Sequence, residues 1–472
     1  MITGGEYKKG ASMDSLDTAR KIAAQVQEAG GKTYFVGGYV RDLIMGRNNG
    51  DIDIEVHGIA PETLENILDS MGDRIEIGKS FGIYSLKGCP LDIAMPRTET
   101  AFGSGHRDFR VFVDPYLGPE KAAERRDFTM NALMQDVITG EITDPFGGIR
   151  DIEEMIIRHI NPVKFAEDPL RVMRAAQFSA RLGFSVAPET LELMSRMDLT
   201  ALAKERVFDE LRKALLHADR PSVFFEILRK CSQLDFWFPE LIPLIDLPQD
   251  PSFHPEGSVW NHTMLVTDEA AKLRDKAENP LGLMLSAVTH DLGKAVTTEE
   301  LNGHIHTYNH DIAGVPIAET FLRRLTSDKA LIRYVLSMVE LHMRPNLMAS
   351  QRSGVKAMNR LFDSSESPGD LILMARADCL GCGRDLRASF ARNSAFLDEH
   401  LKIFREVMAK PYVTGQDLVA AGIEPGTDFK EILEYAHKLR LADVDKGSAL
   451  KQTVAYAQKL RKDNGSCNHE IS

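Results

Sequence analysis

The sequence predicts an α/β domain near the N-terminus, followed by a long region that is almost wholly helical. Between residues 32 and 150, short apolar runs with the length of strands alternate with short helices. From about residue 152 onward, apolar residues recur at helical spacing, as in Pro169–Leu182. The 472 residues suffice for two to four domains with sizeable cores.

Composition and charge narrow the class of protein. A net charge of −12 argues against a surface that broadly coats nucleic acid, but it is compatible with a local basic groove. No apolar run reaches the roughly 18 residues of a membrane span, and the polar N-terminus lacks the apolar core of a signal peptide. The five cysteines do not form the pattern of a disulfide framework. We therefore expect a cytoplasmic protein that does not bind membranes.

The α/β region contains short runs that are rich in apolar and β-branched residues and bounded by Gly, Pro or Asp, as strands usually are. Between these runs, one segment has apolar residues at helical spacing. It starts with a proline, a residue that is favoured in the first turn of a helix. The predicted strands are Tyr34–Val36, Ile52–Val56, Ile83–Lys87 and Leu91–Met95, and the helix is Pro61–Met71.

The first strand runs into the segment Gly37–Asp42, in which two glycines precede Arg41, and a short helix is predicted to begin at Arg41. Glycines allow a sharp turn and a close approach of the backbone to a ligand. Because strand side chains alternate between faces, Asp51 and Asp53 point to the same side. Two carboxylates beside a glycine turn and an arginine suit a magnesium-bound triphosphate, which predicts nucleotidyl transfer. Asp92 is either a third carboxylate or a turn residue.

Two further segments carry charge close to this region. Arg125 and Arg126 are predicted to begin a helix and to bind a phosphate or a ribose hydroxyl, with a surface pair beside Glu124 as the alternative. The segment Asp144–Asp151 is predicted to be a turn that caps the next helix, at the corner between the sheet and the helical region.

Polar residues recur every three positions near one face of the helix Pro169–Leu182. They are Asp168, Arg171, Arg174 and Gln177. Cytosine and adenine each present an amine donor beside a ring-nitrogen acceptor, and a carboxylate with a guanidinium complements that pair. Asp168 and Arg171 would therefore accept these bases and reject uracil and guanine. An ordinary intrahelical salt bridge is the alternative explanation.

Histidines and aspartates form a second constellation downstream. In chain order they are His262, His290, Asp291, His310, His342 and Asp378. Imidazoles and carboxylates at helix ends suit a divalent metal that activates water. Cys379 and Cys382 have no second cysteine pair, which favours buried thiols over a zinc site.

Over roughly residues 32–230 the chain resembles the bacterial class II CCA-adding tRNA nucleotidyltransferases in five ordered motifs. The motifs are Gly37–Asp53, Arg125–Ala132, Asp144–Asp151, Glu167–Gln177, and Glu205–Val207 with Glu210. The resemblance implies an α/β nucleotidyltransferase head of the polymerase-β type, followed by all-α neck, body and tail domains. The downstream histidines and aspartates resemble an HD-domain phosphohydrolase. The implied division is 1–31 for an extension and first helix, 32–151 for the head, 152–240 for the neck, 241–400 for the HD domain and 401–472 for the tail.

The resemblance also implies individual roles. Mg²⁺ would be held by Asp51 and Asp53. Contacts to CTP or ATP would come from Gly38, Arg41, Arg126, Asp168, Arg171, Arg174 and Gln177, the last at a position where many relatives carry Arg. A second divalent transition metal would be held by His262, His290, Asp291 and Asp378, with His310 and His342 as ligands of a further ion. The segment Arg97–Glu124 resembles the flexible loop used in switching from C to A addition, which favours the whole CCA activity.

The implied activity is template-independent addition and repair of the 3′-terminal CCA of tRNA. Its partners would be the 3′ end and acceptor arm of tRNA, together with CTP and ATP. One alternative is a bacterial poly(A) polymerase, although the mixed charge of the tail does not match the basic tail usual there. Another is an HD phosphohydrolase whose head senses tRNA or nucleotides. The HD domain is either active or a decayed domain retained for tRNA binding, and the sequence leaves the oligomeric state open.

Overall fold

The computed structural model describes residues 14–47, 51–78, 82–101, 109–382 and 387–467. The chain divides into two compact units. The first comprises Met1–Ala214 and Val223–Trp237, and the second comprises Leu215–Ser222 and Phe238–Ser472. Within the described ranges, no helix has the length and apolar character needed to cross a membrane.

The first unit is built on a mixed β-sheet. Its strands are β1 (Lys32–Val36), β2 (Ile52–His57), β3 (Arg74–Gly78), β4 (Ile83–Leu86), β5 (Cys89–Ala94), β6 (Arg97–Ala101), β7 (Phe109–Val113), β8 (Met134–Asp136), β9 (Ile142–Thr143), β10 (Ile156–Ile157) and β11 (Ser185–Val186). Among the described residues, seven strands join in the order β3-β4-β5-β2-β1-β8-β9. Only β2 and β5 run parallel in this sheet, while β6 and β7 form a separate antiparallel pair. The four predicted strands all lie in the seven-stranded sheet.

Helices cover the sheet and continue the chain beyond it. They are α1 (Ser15–Glu28), α2 (Gly38–Ile44), α3 (Pro61–Met71), α4 (Pro119–Glu124), α5 (Gly148–Glu153), α6 (Pro162–Ala166), α7 (Leu170–Leu182), α8 (Pro188–Ser195), α9 (Lys204–His217) and α10 (Ser222–Lys230). Helix α1 forms because Asp14 accepts a hydrogen bond from the Leu16 amide at its start, and because a face containing Ile22 and Val26 is buried. The predicted helix Pro61–Met71 matches α3.

The second unit is almost entirely helical. Its elements are α11 (Val259–Ala271), α12 (Pro280–Thr289), α13 (Lys294–Thr297), β12 (Glu299–Leu301), β13 (His304–His306), α14 (His310–Leu325), α15 (Lys329–Leu341), α16 (Met343–Ser350), α17 (Val355–Asp363), α18 (Pro368–Gly381), α19 (Arg387–Ala409), α20 (Gly415–Ala420), α21 (Phe429–Leu441) and α22 (Lys446–Cys467). Helix α12 is buried from Gly282 to Thr289, which explains why its sequence is apolar on every face.

Two local expectations are wrong. Arg125 and Arg126 do not begin a helix: Arg125 directly follows α4, and the next helical turn is a short 3₁₀ segment at Thr129–Asn131. The helix that carries Arg41 begins earlier than expected, at Gly38. In both cases a neighbouring proline or glycine, rather than the charged residue, sets the helix start.

Candidate active site

The glycine turn brings the backbone close to two charged side chains. Gly37 has φ 68°, in the left-handed region that favours glycine, and it immediately precedes α2. A Cβ atom at this position would lie 3.4 Å from Arg126 Nη1 and 3.8 Å from Asp53 Oδ2. The turn therefore brings the backbone of Gly37 close to the guanidinium group of Arg126 and the carboxylate of Asp53. A charged ligand can then contact the backbone and both side chains.

Three carboxylates lie close together on two adjacent interior strands of the sheet: Asp51 directly precedes β2, Asp53 lies in β2 and Asp92 lies in β5. Asp51 and Asp53 are exposed and line the same cavity. Asp92 lies in β5 directly beside Asp53 in the parallel register with β2, so it is a strand residue and not part of a turn. Partial burial and the nearby charge of Asp92 raise the pKa of Asp53. Closely spaced oxygen donors that repel one another suit a hard divalent cation such as Mg²⁺.

This cavity has a volume of about 860 Å³. Its described lining includes nine Arg or Lys side chains against five carboxylates, a balance that suits a polyanionic ligand. The lining contains most of the residues predicted to bind nucleotide and metal: Gly38, Arg41, Asp51, Asp53, Arg126, Asp168, Arg171 and Arg174. Gln177 does not belong to it. Its side chain is buried, with 1% of the residue exposed, and Nε2 has no hydrogen-bond partner.

Glu55 is a buried anion that sequence reasoning missed. It lies two residues after Asp53 in β2, is 1% exposed, and contacts Arg125 Nη2 and Arg126 Nη2 at 3.4 Å each. Its Oε1 lies 2.9 Å from His57 Nε2. Burial opposes ionisation of Glu55, but the hydrogen bond with His57 and the charge of Arg126 outweigh it and lower the pKa to about 2. Glu55 thus anchors both arginines.

A hydrogen-bonded chain links α2 to α7. Arg41 Nη1 donates to Asn131 Oδ1 at 2.8 Å, and Asn131 Nδ2 donates to Asp127 Oδ1 at 3.0 Å. Asp127 Oδ2 accepts a 2.7 Å bond from Arg174 Nε. Burial disfavours the charge on Asp127, yet Arg174 more than compensates, so the pKa of Asp127 is lowered. Both guanidinium groups also lie over the Phe178 ring, at 5.2 and 5.3 Å.

The residues predicted to read a base have partners from within the protein. Asp168 Oδ2 accepts a 3.0 Å bond from Arg206 Nη2. Arg171 Nη1 donates to the carbonyl of Lys164 at 2.8 Å, and its Nη2 donates to the carbonyl of Arg125 at 2.6 Å. These contacts fix both side chains at the cavity wall through bonds that span up to 46 positions of the chain.

The segment from Asp144 to Asp151 forms the expected corner. Asp144 accepts bonds from the amides of Gly148 and Ile149, and so caps α5. Asp151 lies inside α5, where it accepts a 2.6 Å bond from Thr129 Oγ1 and contacts Arg158. The segment Arg97–Glu124, which was predicted to be a loop, contains the strands β6 and β7. Residues 102–108, between these strands, lie outside the described residues.

In the second unit, the predicted histidines and aspartates converge. His262 Nε2 lies 3.1 Å from Asp378 Oδ1 and 3.6 Å from Asp291 Oδ2. His290 Nε2 lies 3.2 Å from Asp291 Oδ2. Asp291 Oδ1 lies 3.3 Å from His310 Nε2 and 3.8 Å from His342 Nε2. These contacts form two overlapping groups that share Asp291, and we call the six residues the HD cluster.

The hydrogen bonds of the HD cluster fit a metal. His290, His310 and His342 each place Nδ1 within 2.9 Å of a backbone carbonyl. A carbonyl only accepts, so Nδ1 carries a proton and Nε2 is the ring nitrogen that faces the carboxylates. All three Nε2 atoms are buried without a hydrogen-bond partner, whereas Oδ2 of Asp291 forms a 2.7 Å ion pair with Lys294 Nζ. Burial also lowers the pKa of His342 to about 4. Imidazole nitrogens that have no hydrogen-bond partner and lie beside carboxylates suit a bound cation.

Comparison with known proteins identifies the family. Models for the poly A polymerase head domain, for the probable RNA and SrmB-binding site of polymerase A, and for the HD domain match residues 33–158, 183–245 and 259–380. The multifunctional CCA protein of Actinobacillus pleuropneumoniae is 35% identical over 425 residues, covering 87% of this chain and 98% of that protein. The chain belongs to the multifunctional CCA protein family. The recognition made from the ordered motifs is confirmed.

Solved structures of the family share the fold. The CCA-adding enzyme of Bacillus stearothermophilus in complex with CTP superposes with a TM-score of 0.65 at 22% identity, covering 95% of this chain and 99% of that chain. The Thermotoga maritima enzyme complexed with tRNA gives 0.62 at 21% identity, with 93% and 95% covered. The predicted fold class, an α/β nucleotidyltransferase head followed by helical domains, is confirmed, as is the nucleotidyltransferase family of the enzyme.

Proposed function

We propose that this protein adds and repairs the 3′-terminal CCA of tRNA. The 3′ hydroxyl of tRNA attacks the α-phosphate of CTP or ATP, a new phosphodiester bond forms, and pyrophosphate leaves. The observation that carries the proposal is a single cavity that holds both the strand carboxylates, Asp51 and Asp53, and the polar edge of α7. The five-part division of the chain and the cytoplasmic location stay predictions.

The residues of the cavity have two roles, which are binding of the metal ion and binding of the triphosphate. A divalent cation bound by Asp51 and Asp53, for which we propose Mg²⁺, supplies charge stabilisation at the transferred phosphoryl group and activation of the attacking hydroxyl. Arg41 and Arg126, beside the turn at Gly38, bind the triphosphate, because guanidinium groups pair well with phosphate oxygens. Glu55 keeps Arg126 oriented, so this arginine loses little freedom when the nucleotide binds.

Asp168, just before α7, and Arg171, in the first turn of α7, select the base. Asp168 accepts from the exocyclic amine of cytosine or adenine, and Arg171 donates to the adjacent ring nitrogen. Arg171 donates to two backbone carbonyls and Asp168 pairs with Arg206. Binding the base therefore exchanges these internal hydrogen bonds for bonds to the nucleotide, and a base with the wrong donors leaves them uncompensated.

Asp168→Asn is expected to weaken this selection. The amide adds a donor where uracil and guanine present a carbonyl, so incorporation of CTP and ATP should fall by about 10- to 100-fold, and that of UTP and GTP should rise relative to them. Competition assays with pairs of nucleotides measure the ratio. Glu167→Gln is the matched control, because Glu167 pairs with Lys164 and does not line the cavity. Unchanged discrimination in Asp168→Asn would remove this residue from base selection.

The function itself is tested with tRNA transcripts that end before CCA. With Mg²⁺ and labelled CTP and ATP, the protein should add C, C and then A, and stop. Long A tails would support a poly(A) polymerase instead. No incorporation would leave hydrolysis at the HD cluster as the main activity.

A second activity is favoured by the three Nε2 atoms of the HD cluster that have no hydrogen-bond partner and lie beside its carboxylates. We propose metal-dependent phosphohydrolysis there, with cyclic nucleotides as test substrates. Asp291 and Asp378 would hold the metal together with His262 and His290. A chelator should abolish hydrolysis, and metal-independent turnover would contradict the proposal.

A further inference from the structure

A second group of donor atoms lies beside the HD cluster. His254, Glu256, His262 and Cys382 each offer one ligand atom, and these atoms all lie within 4.8 Å of one another. His254 and Glu256 come from the loop before α11, and Cys382 directly follows α18. The group therefore joins segments more than 120 residues apart through side chains that are typical metal ligands.

One oxygen in this group has no partner. Glu256 Oε1 lies 2.8 Å from His254 Nδ1 and 2.9 Å from His262 Nδ1. Oε2 of the same carboxylate has no hydrogen-bond partner, although the side chain is only 4% exposed. An unsatisfied buried acceptor costs about 1–3 kcal/mol. A cation at Oε2 would remove that cost.

The types of ligand atom indicate which class of metal ion this group would prefer. A thiolate, imidazoles and one carboxylate are preferred by borderline-soft transition metals such as Zn²⁺, whereas Mg²⁺ and Ca²⁺ prefer oxygen ligands alone. The two nitrogens of His262 face different neighbours: Nε2 lies beside Asp378 and Nδ1 beside Glu256. The second group therefore lies on the opposite side of this ring from the carboxylates of the HD cluster.

We propose that His254, Glu256 and Cys382, together with Nδ1 of His262, bind a zinc-like transition-metal ion next to the HD cluster. When Nε2 of His262 holds the HD-cluster metal at the same time, the ring bridges the two ions as an imidazolate, and both ring protons are released to solvent. The competing explanation is that Glu256 only orients His262 through its hydrogen bond, as carboxylates often do behind a metal ligand. That explanation requires neither the thiol of Cys382 nor an ion in contact with it. Detection of a bond between the Cys382 sulfur and a metal ion would therefore distinguish the proposal from the competing explanation.

The test uses Co²⁺ as a spectroscopic probe, added to the metal-free full chain. Wild type should show the intense near-ultraviolet charge-transfer band of a thiolate bound to Co²⁺. Cys382→Ser should lose the band, and Cys379→Ser, one turn earlier on α18, should retain it. His254→Ala and Glu256→Gln should weaken Co²⁺ binding at this band by at least about tenfold, since each removes one ligand.

In the wild type and the cysteine variants, any of three outcomes would overturn the proposal. They are the absence of the band in wild type, its survival in Cys382→Ser, and its equal loss in Cys379→Ser. Circular dichroism of each variant establishes that the chain is folded. His342→Ala alters the HD cluster without touching the second group, so it should retain the band, and loss of the band there would assign the signal to the HD cluster.

Discussion

Asp53→Asn is expected to reduce transfer of CMP and AMP to tRNA by about 10³-fold or more. Asparagine keeps the shape of the side chain but removes one charge from the carboxylates beside the glycine turn, where charge stabilisation contributes several kcal/mol. The fold should survive, because Asp53 is exposed and the substitution relieves repulsion from Asp92. Single-turnover incorporation of labelled CTP measures the effect.

Two controls accompany this variant. Asp69→Asn changes an exposed aspartate that bonds to Arg74 on the surface, and it should leave transfer unchanged. His290→Ala removes a donor of the HD cluster, so it should abolish hydrolysis of cyclic nucleotides and spare transfer. If the two sites work independently, Asp53→Asn should lose transfer and keep hydrolysis of cyclic nucleotides. Transfer by Asp53→Asn within tenfold of wild type would place the metal site elsewhere.

Glu55→Gln is expected to destabilise the first unit by about 3 kcal/mol at pH 7. The variant keeps the volume of the side chain but leaves Arg125 and Arg126 partly buried beside a neutral amide, and breaking a buried ion pair typically costs 3–5 kcal/mol. Urea unfolding can be followed by Trp237, which becomes the sole tryptophan in a Trp260→Phe background. Glu62→Gln, on the exposed side of α3, is the matched control.

The destabilisation should depend on pH in a defined direction. The folded pKa of Glu55 is about 2, below its ordinary value of 4.5, so its stabilising contribution is complete above about pH 4.5 and disappears as the pH falls through about 2. The shift corresponds to roughly 3 kcal/mol. The difference in unfolding free energy between wild type and Glu55→Gln should therefore narrow from pH 5 downward. A difference that stays constant to pH 3 would mean that Glu55 is not the buried anion of this group.

Local rules predicted the elements and the main chemistry. Alternation through the start of β2 placed Asp53 on the same face as Asp51, which directly precedes the strand. The three-residue spacing placed Asp168, just before α7, beside Arg171 in its first turn. Glu55 could have been found by the same alternation, since it is the next residue on the Asp53 face. It was missed because a lone Glu in a strand gives no sign of partners 70 positions away.

Other contacts had no sequence signal. The bond between Arg41 and Asn131 joins residues 90 positions apart, and nothing in either segment indicates the other. The start of a helix at Arg125 was also wrong, because Pro119 begins α4 earlier and the arginines follow its end. Strands such as β8 and β9 are only two or three residues long, too short for periodicity to be recognised.

The sequence by itself determined the family, the carboxylates suited to a metal–triphosphate site, and the donors of the HD cluster, because ordered motifs and helix or strand periods are local properties of the chain. Only the tertiary structure decided that Asp92 lies beside Asp53, that Glu55 holds two arginines, and that Cys382 meets His254 and Glu256. Such pairs depend on packing between distant segments, and a carboxylate or thiol acquires its neighbours, and hence its pKa and ligands, only when that packing forms.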